Sequence, residues 1–276
     1  MTKKTLSLTL KLLGIIFMHT LGASLKKIPH NPFHYDLGVK IINRSKGVPT
    51  ICCHGYGDSN RLVDVLNSHK ISLGTLIGFN FPDYNGVPRG KDGHFAYGSI
   101  DEILPLVYLL DYYVCQQKLS AINLYGFSAG GGAIINTLAC LTTDQYDNEL
   151  KKLGINLENK KAIMQALHNG IVILDCPLKS CREIIDFRGK SPDLDALSYN
   201  FIANASEPID TLNKLHNLNL SIILYFEKDD EILSNRDDTL FYQRLNRANT
   251  GTTHYETGKT SGHNAYHSPL WKLVKN

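Results

Sequence analysis

The clearest chemistry in this chain belongs to a serine set between glycines where an apolar run meets a helix-forming one. Residues 123–133 read NLYGFSAGGGA, which places Ser128 at the centre of Gly126-Phe127-Ser128-Ala129-Gly130. A serine hydroxyl is a weak nucleophile: it needs a turn that exposes it, a base that takes its proton, and dipoles that stabilise the charge it creates. A sharp strand-to-helix turn meets the first need. It forces the central residue into a conformation where neighbouring side chains collide, and glycines on both sides remove them. The start of the helix meets the third need, because its first N–H groups have no intrahelical acceptor and sit at the positive end of the helix dipole. Here that donor is the amide of Ala129. Glycine-rich turns also pack helices onto strands or cradle phosphates. The strand in front and the helix behind favour the nucleophile.

Such a turn requires a sheet with helices laid against it. From about residue 36, short β-rich apolar runs alternate with longer helical patterns, the rhythm of an α/β fold with a mostly parallel central sheet and helices on both faces. Strands are expected at 38–42, 49–53, 75–81, 121–126, 171–175, 221–226 and 253–256. The runs ICC, INLY, IVIL and IILY are almost uniformly apolar, as strands covered on both faces should be. Residues 100–117 carry apolar side chains at helical spacing, with Ser99 as cap ahead of Glu102, and 129–141 form a second helix. A further helix is expected after His263. The stretch 181–217 is long and weakly periodic, and is expected to be a lid inserted over the site. No internal repeat or low-complexity linker interrupts the pattern.

With the serine turn in this context, the chain resembles the α/β-hydrolase superfamily of serine hydrolases, esterase- and lipase-like, over about residues 36–276. The resemblance implies three further pieces in fixed chain order. The first is an oxyanion loop, matched by TICCHGYGDS at 50–59: Gly55 lets the backbone approach the substrate, an amide near Tyr56 supplies the second donor, and His54 is structural. The second is an acid after a later strand, matched by SIILYFEKDDEIL. Both Asp229 and Asp230 qualify, and the apolar residues after DE favour Asp230, with Asp229 as the alternative and Asp175 as a remoter rival. The third is a histidine after the last strand, matched by His263 in KTSGHNAYH; His254 and His267 fit less well, and His94 carries no assigned chemistry. The order Ser, Asp, His is that of this superfamily. It implies hydrolysis of a carboxylic ester through an acyl-enzyme, acting on a small-molecule or lipid-like ester, with no cofactor. Phe127 and Tyr56 suggest an aromatic wall for the cleft. A peptidase, amidase or thioesterase shares the same machinery, and a noncatalytic binding protein shares the fold.

Composition narrows the remaining classes. At 276 residues with 43% hydrophobic and 20% charged residues, the chain has enough apolar surface to build a sizeable core, which excludes a disordered or disulfide-stapled miniprotein. A net charge of +3 without a long basic block argues against nucleic acid. The six cysteines form no paired CxxC spacing, so no metal is expected from motif; Cys176 and Cys181 would bridge only in an oxidising compartment. Residues 1–24 have a basic start, an apolar run and then small residues. They read more as a secretory signal, implying a periplasmic or secreted protein, than as a helix docked on the domain. The apolar run is shorter than the ~20 residues of a permanent membrane span. Nothing specifies an oligomeric state.

Overall fold

Apolar residues on both faces of short strands make a sheet that must be covered on both sides, and the computed structural model shows one. It describes residues 28, 31–33, 35–44, 46–55, 58–69, 73–82, 98–180, 207–233, 235–258 and 262–263. In chain order these residues form β1 (Lys40–Ile42), β2 (Thr50–Cys53), α1 (Leu62–Ser68), β3 (Leu76–Gly78), α2 (Ile100–Asp111), β4 (Asn123–Phe127), α3 (Ala129–Thr142), α4 (Asp147–Lys152), α5 (Leu157–His168), β5 (Val172–Asp175), α6 (Pro208–Thr211), β6 (Ile222–Glu227), α7 (Asp238–Ala248) and β7 (Thr253–Gly258). The strands lie in the order β1-β3-β2-β4-β5-β6-β7. Only β1 runs antiparallel, along β3.

Alternation along each strand divides the core in two. Ile51, Cys53, Leu124, Val172, Leu174, Ile222 and Leu224 face a large cluster that includes residues of α2, α3, α5 and α7. Cys52, Tyr125, Ile173, Ile223 and Tyr225 face the other side, against Leu62, Val63 and Leu66 of α1. At ~25 cal/mol per Å² of apolar surface removed from water, this two-sided burial is the main force holding the layers together. Helix α2 starts as its sequence suggests: the Ser99 hydroxyl accepts from the Asp101 amide at 3.2 Å, while the Glu102 carboxylate accepts from the Gly98 amide at 2.8 Å. Its last turns widen into a π-helical segment at Tyr112–Gln116.

Strand order then decides where a site can form. From β2 the chain winds to β3 on one side, and afterwards returns past β2 to place β4 on its other side. The winding reverses between the carboxyl ends of β2 and β4, where the crevice of an open α/β sheet receives its ligands. His54 and Gly55 leave β2 there, beside the Ser128 turn that leaves β4. Of the expected lid, 181–206 lies outside the described residues. The described end, 207–217, contains α6, which rests on α3, and buries Ile209, Leu212 and Leu215 in the main core. That part of the stretch packs as scaffold. Behind the site, the segment after β5 is tied to the start of α7 by a buried ion pair, Lys179 Nζ to Asp238 Oδ1 at 2.8 Å. Among the described residues no helix is long and apolar enough to cross a membrane.

Helix α3 can lie this close to the sheet because glycines follow Ala129 in its first turn. A Cβ on Gly130 would sit 2.2 Å from the Cys53 carbonyl oxygen, which is backbone and cannot turn aside. Gly130→Ala is therefore expected to lift α3 from β2 and to cost about 1–3 kcal/mol of unfolding free energy, the usual penalty of overpacking. Urea denaturation followed by circular dichroism checks this; an unchanged midpoint would contradict the close approach.

Candidate active site

Ser128 links the last residue of β4 to the first of α3 with φ 52° and ψ −119°, a backbone region that L-residues rarely occupy. Such a conformation costs on the order of 1–3 kcal/mol and persists only where neighbours over-determine it. The neighbours here are hydrogen bonds. The Ser128 amide donates to the Asp175 carbonyl at 3.0 Å, and its own carbonyl accepts from the amides of Gly131 at 2.9 Å, Gly132 at 3.3 Å and Leu178 at 2.8 Å. Glycine is needed at 126 because a Cβ there would lie 2.7 Å from the Gly130 carbonyl oxygen and from the Gly131 Cα. Ala129 occupies the first helical position, so its amide has no acceptor within the helix.

The loop after β2 reaches over this turn. A Cβ on Gly55 would sit 3.0 Å from the Phe127 ring and 3.2 Å from the Ser128 Cβ, which brings the loop backbone against the serine. Tyr56 lies outside the described residues. His54 anchors the loop from beneath. It is fully buried, its Nε2 accepts from the Phe81 amide at 3.2 Å, and its Nδ1 lies 2.8 Å from the Gly55 carbonyl oxygen. Because Nε2 is an acceptor, the ring proton must be on Nδ1, donated to Gly55. Burial lowers the His54 pKa from 6.5 to about 4, so the ring is neutral at pH 7 and joins the ends of β2 and β3 as a fixed dipole.

Opposite the loop, His263 and Asp230 meet. The His263 Nδ1 stands 2.7 Å from the Asp230 Oδ2, with only 6% and 5% of the two side chains exposed. Asp230 has no freedom to turn away, since its Oδ1 accepts from the amides of Ile232 at 2.9 Å and Leu233 at 2.7 Å. The His263 ring packs on the ring of Phe127, the neighbour of Ser128, with centroids 4.9 Å apart. Of the two aspartates weighed from the sequence, Asp230 is the one joined to the histidine. Asp175 is directed elsewhere: its Oδ2 accepts from the Tyr125 hydroxyl at 2.6 Å, and burial together with the Asp175 charge keeps that phenol protonated. His254 sits half-exposed on β7 with its Nε2 3.5 Å from Glu256. His94 and His267 lie outside the described residues.

One neighbour of the pair escaped sequence reasoning. Cys176, the residue after β5, places its Sγ within 4.8 Å of ligand atoms of both Asp230 and His263. It carries a free thiol, and burial pushes that thiol well above its ordinary pKa. Cys181, its suggested partner, lies outside the described residues. A single cysteine in an apolar stretch carries no sequence signal beyond small-residue packing.

No protein-family model matches the sequence, and no curated protein sequence does. Solved structures do match. An esterase from Pyrococcus furiosus is 15% identical with a TM-score of 0.53, over 78% of this chain and 74% of that one. Est1E from Butyrivibrio proteoclasticus, solved with ferulic acid bound, is 15% identical with a TM-score of 0.54, over 87% and 92%. An α/β-hydrolase enzyme from a Medee basin deep-sea metagenome is 10% identical with a TM-score of 0.54, again over 87% and 92%. The chain has the α/β-hydrolase fold. In the terms of that fold, Ser128 stands at the strand-to-helix elbow, Gly55 in the loop after the strand beside it, and His263 after the last strand of the sheet.

The buried neutral His54 makes this α/β-hydrolase fold sensitive to acid. Its folded pKa of about 4 lies below the 6.5 of an unfolded histidine, so between these values the unfolded chain binds the extra proton. The stability it confers is complete above about pH 6.5 and is lost as pH falls towards 4, by roughly 3 kcal/mol at ~1.4 kcal/mol per unit. His54→Asn keeps a donor for Gly55 and removes the titration. Denaturation midpoints at pH 7, 5.5 and 4 should fall less steeply in this variant than in the wild type; parallel slopes would contradict the assignment.

Proposed function

We propose that the protein is a serine hydrolase that cleaves carboxylic esters, with Ser128 as nucleophile, His263 as base and Asp230 as the acid that orients it. The observation that carries this reading is the short Asp230–His263 hydrogen bond at the carboxyl edge of a sheet whose serine turn is left-handed. Asp230 fixes the proton on Nδ1, which leaves Nε2 with its lone pair available to a hydroxyl. His263 then takes the Ser128 proton as the oxygen attacks the carbonyl carbon. The oxyanion that forms is received by the Ala129 amide and by an amide of the loop at Gly55 and Tyr56. As the tetrahedral intermediate collapses, the imidazolium returns its proton to the departing alcohol, and water repeats the sequence on the acyl-enzyme. Asp230 stabilises the imidazolium throughout without taking the proton.

An ester is favoured among acyl substrates by two considerations. The Pyrococcus neighbour is an esterase, and the Butyrivibrio one holds ferulic acid, an aromatic carboxylic acid of the kind that ester hydrolysis releases. In this chain the Phe127 ring, on the residue before Ser128, packs against the His263 ring, giving an acyl group an aromatic surface rather than a charged one. The substrate class that follows is a small-molecule or lipid-like ester.

Hydrolysis of p-nitrophenyl acetate and butyrate tests the assignment. Ser128→Ala and His263→Ala should each lower kcat by up to ~10⁶, Asp230→Asn by about 10⁴, and Asp229→Asn by only a few-fold. A Ser128→Ala variant as active as the wild type, or Asp229→Asn and Asp230→Asn losses of equal and small size, would contradict it.

A further inference from the structure

The proposed hydrolysis leaves one buried, chemically capable side chain unused beside its base. Cys176 directly follows β5, at φ 44°, with its amide bonded to the Tyr225 carbonyl at 2.9 Å and 3% of its surface exposed. Its Sγ, a ring nitrogen of His263 and a carboxylate oxygen of Asp230 all lie within 4.8 Å of one another. Three separate loop segments, after β5, after β6 and after β7, bring together one sulfur, one nitrogen and one oxygen donor. We propose that these side chains form an inhibitory site for a thiophilic divalent cation of the Zn²⁺ class.

The donor set and its spacing define the ion. Thiolate with imidazole selects Zn²⁺ and its soft relatives, whereas Ca²⁺ and Mg²⁺ require shells of oxygen. Zn²⁺ with bonds of ~2.0 Å to nitrogen and oxygen and ~2.3 Å to sulfur in tetrahedral geometry holds its donors roughly 3.3–3.6 Å apart, so the cluster closes with shifts on the order of 1 Å. Asp230 is already oriented for this, because the Ile232 and Leu233 amides hold Oδ1 while Oδ2 faces the His263 Nδ1. Water or another small ligand takes the fourth position.

Binding has a direct consequence for catalysis, which rests on the reading of His263 as the base. As Zn²⁺ bonds to Sγ, Oδ2 and Nδ1, the thiol proton leaves to solvent and the Nδ1 proton is replaced by one on Nε2. One proton is released in all, and nothing is oxidised or reduced. Nε2, the nitrogen that must accept the Ser128 proton, becomes an N–H donor. The enzyme is switched off at its base while the serine stays in place, and a chelator restores it.

The test uses the full chain, first stripped with EDTA, and reads binding separately from activity. Co²⁺, a spectroscopic stand-in for Zn²⁺, should produce a thiolate-to-metal charge-transfer band with tetrahedral d–d bands at one equivalent, and Zn²⁺ should abolish both by displacement. Ester hydrolysis should fall with Zn²⁺ and recover with EDTA. In Cys176→Ser the charge-transfer band should vanish and the Zn²⁺ concentration for half-inhibition should rise at least ~10-fold, since even outer-shell losses weaken zinc sites by that much. Cys176→Ala provides the same readout if the serine variant does not fold. Absence of the band in the wild type, or equal Zn²⁺ sensitivity with and without Cys176, overturns the site. A one-equivalent band in a protein that hydrolyses no ester would uphold the site and overturn the proposed function instead.

Discussion

A left-handed backbone at Ser128 is the constraint from which the rest of this architecture follows. To hold it, the chain must leave β4 and enter α3 within one residue, and the hydrogen bonds that stabilise the turn come from segments remote in sequence, at Asp175 and Leu178. The segment after β5 must therefore lie directly beside the elbow, and the Lys179–Asp238 ion pair fixes it there. The glycines at 126 and 130 are the other half of the same requirement, since α3 is pressed against the backbone of β2 with no room for a methyl group. A strained turn that the surrounding structure over-determines is the kind of feature found where geometry serves chemistry.

Around the elbow, polar groups are placed by burial and hydrogen bonding, not by a dense field of charge. His54 is a neutral ring spanning two strand ends, and the Asp175 carboxylate accepts from the Tyr125 phenol. Asp230 differs from them because backbone amides hold one of its oxygens and leave the other for His263. The same pre-orientation that suits a carboxylate to hold an imidazole also suits it to bind a cation, and the presence of Cys176 joins the two possibilities at one place.

Much of the scaffold was legible in the sequence because two-sided burial writes itself as uniform apolar runs: all seven expected strands are present, with ends shifted by a few residues. Strand order was not legible, since the antiparallel pairing of β1 with β3 depends on contacts far apart in the chain. Nor was the packing of 207–217, where Ile209, Leu212 and Leu215 are too widely mixed with polar residues to announce a core. For the site, the serine turn was readable because only a few residue types tolerate it. Asp229 and Asp230 could not be separated firmly because adjacent turn residues point in different directions, and the deciding bonds run to the amides of 232 and 233. That pattern is an aspartate capping the turn that follows it, a signal the DEIL string does contain. Cys176 had no counterpart in any motif, because its partners arrive from two other loops.

Covalent labelling reaches the central claim most directly. The intact protein, treated with a fluorophosphonate and weighed by mass spectrometry, should gain one adduct that peptide mapping places on Ser128, and His263→Ala should slow its formation by orders of magnitude. Labelling of another residue, or equal labelling rates with and without His263, would contradict an activated serine at the elbow.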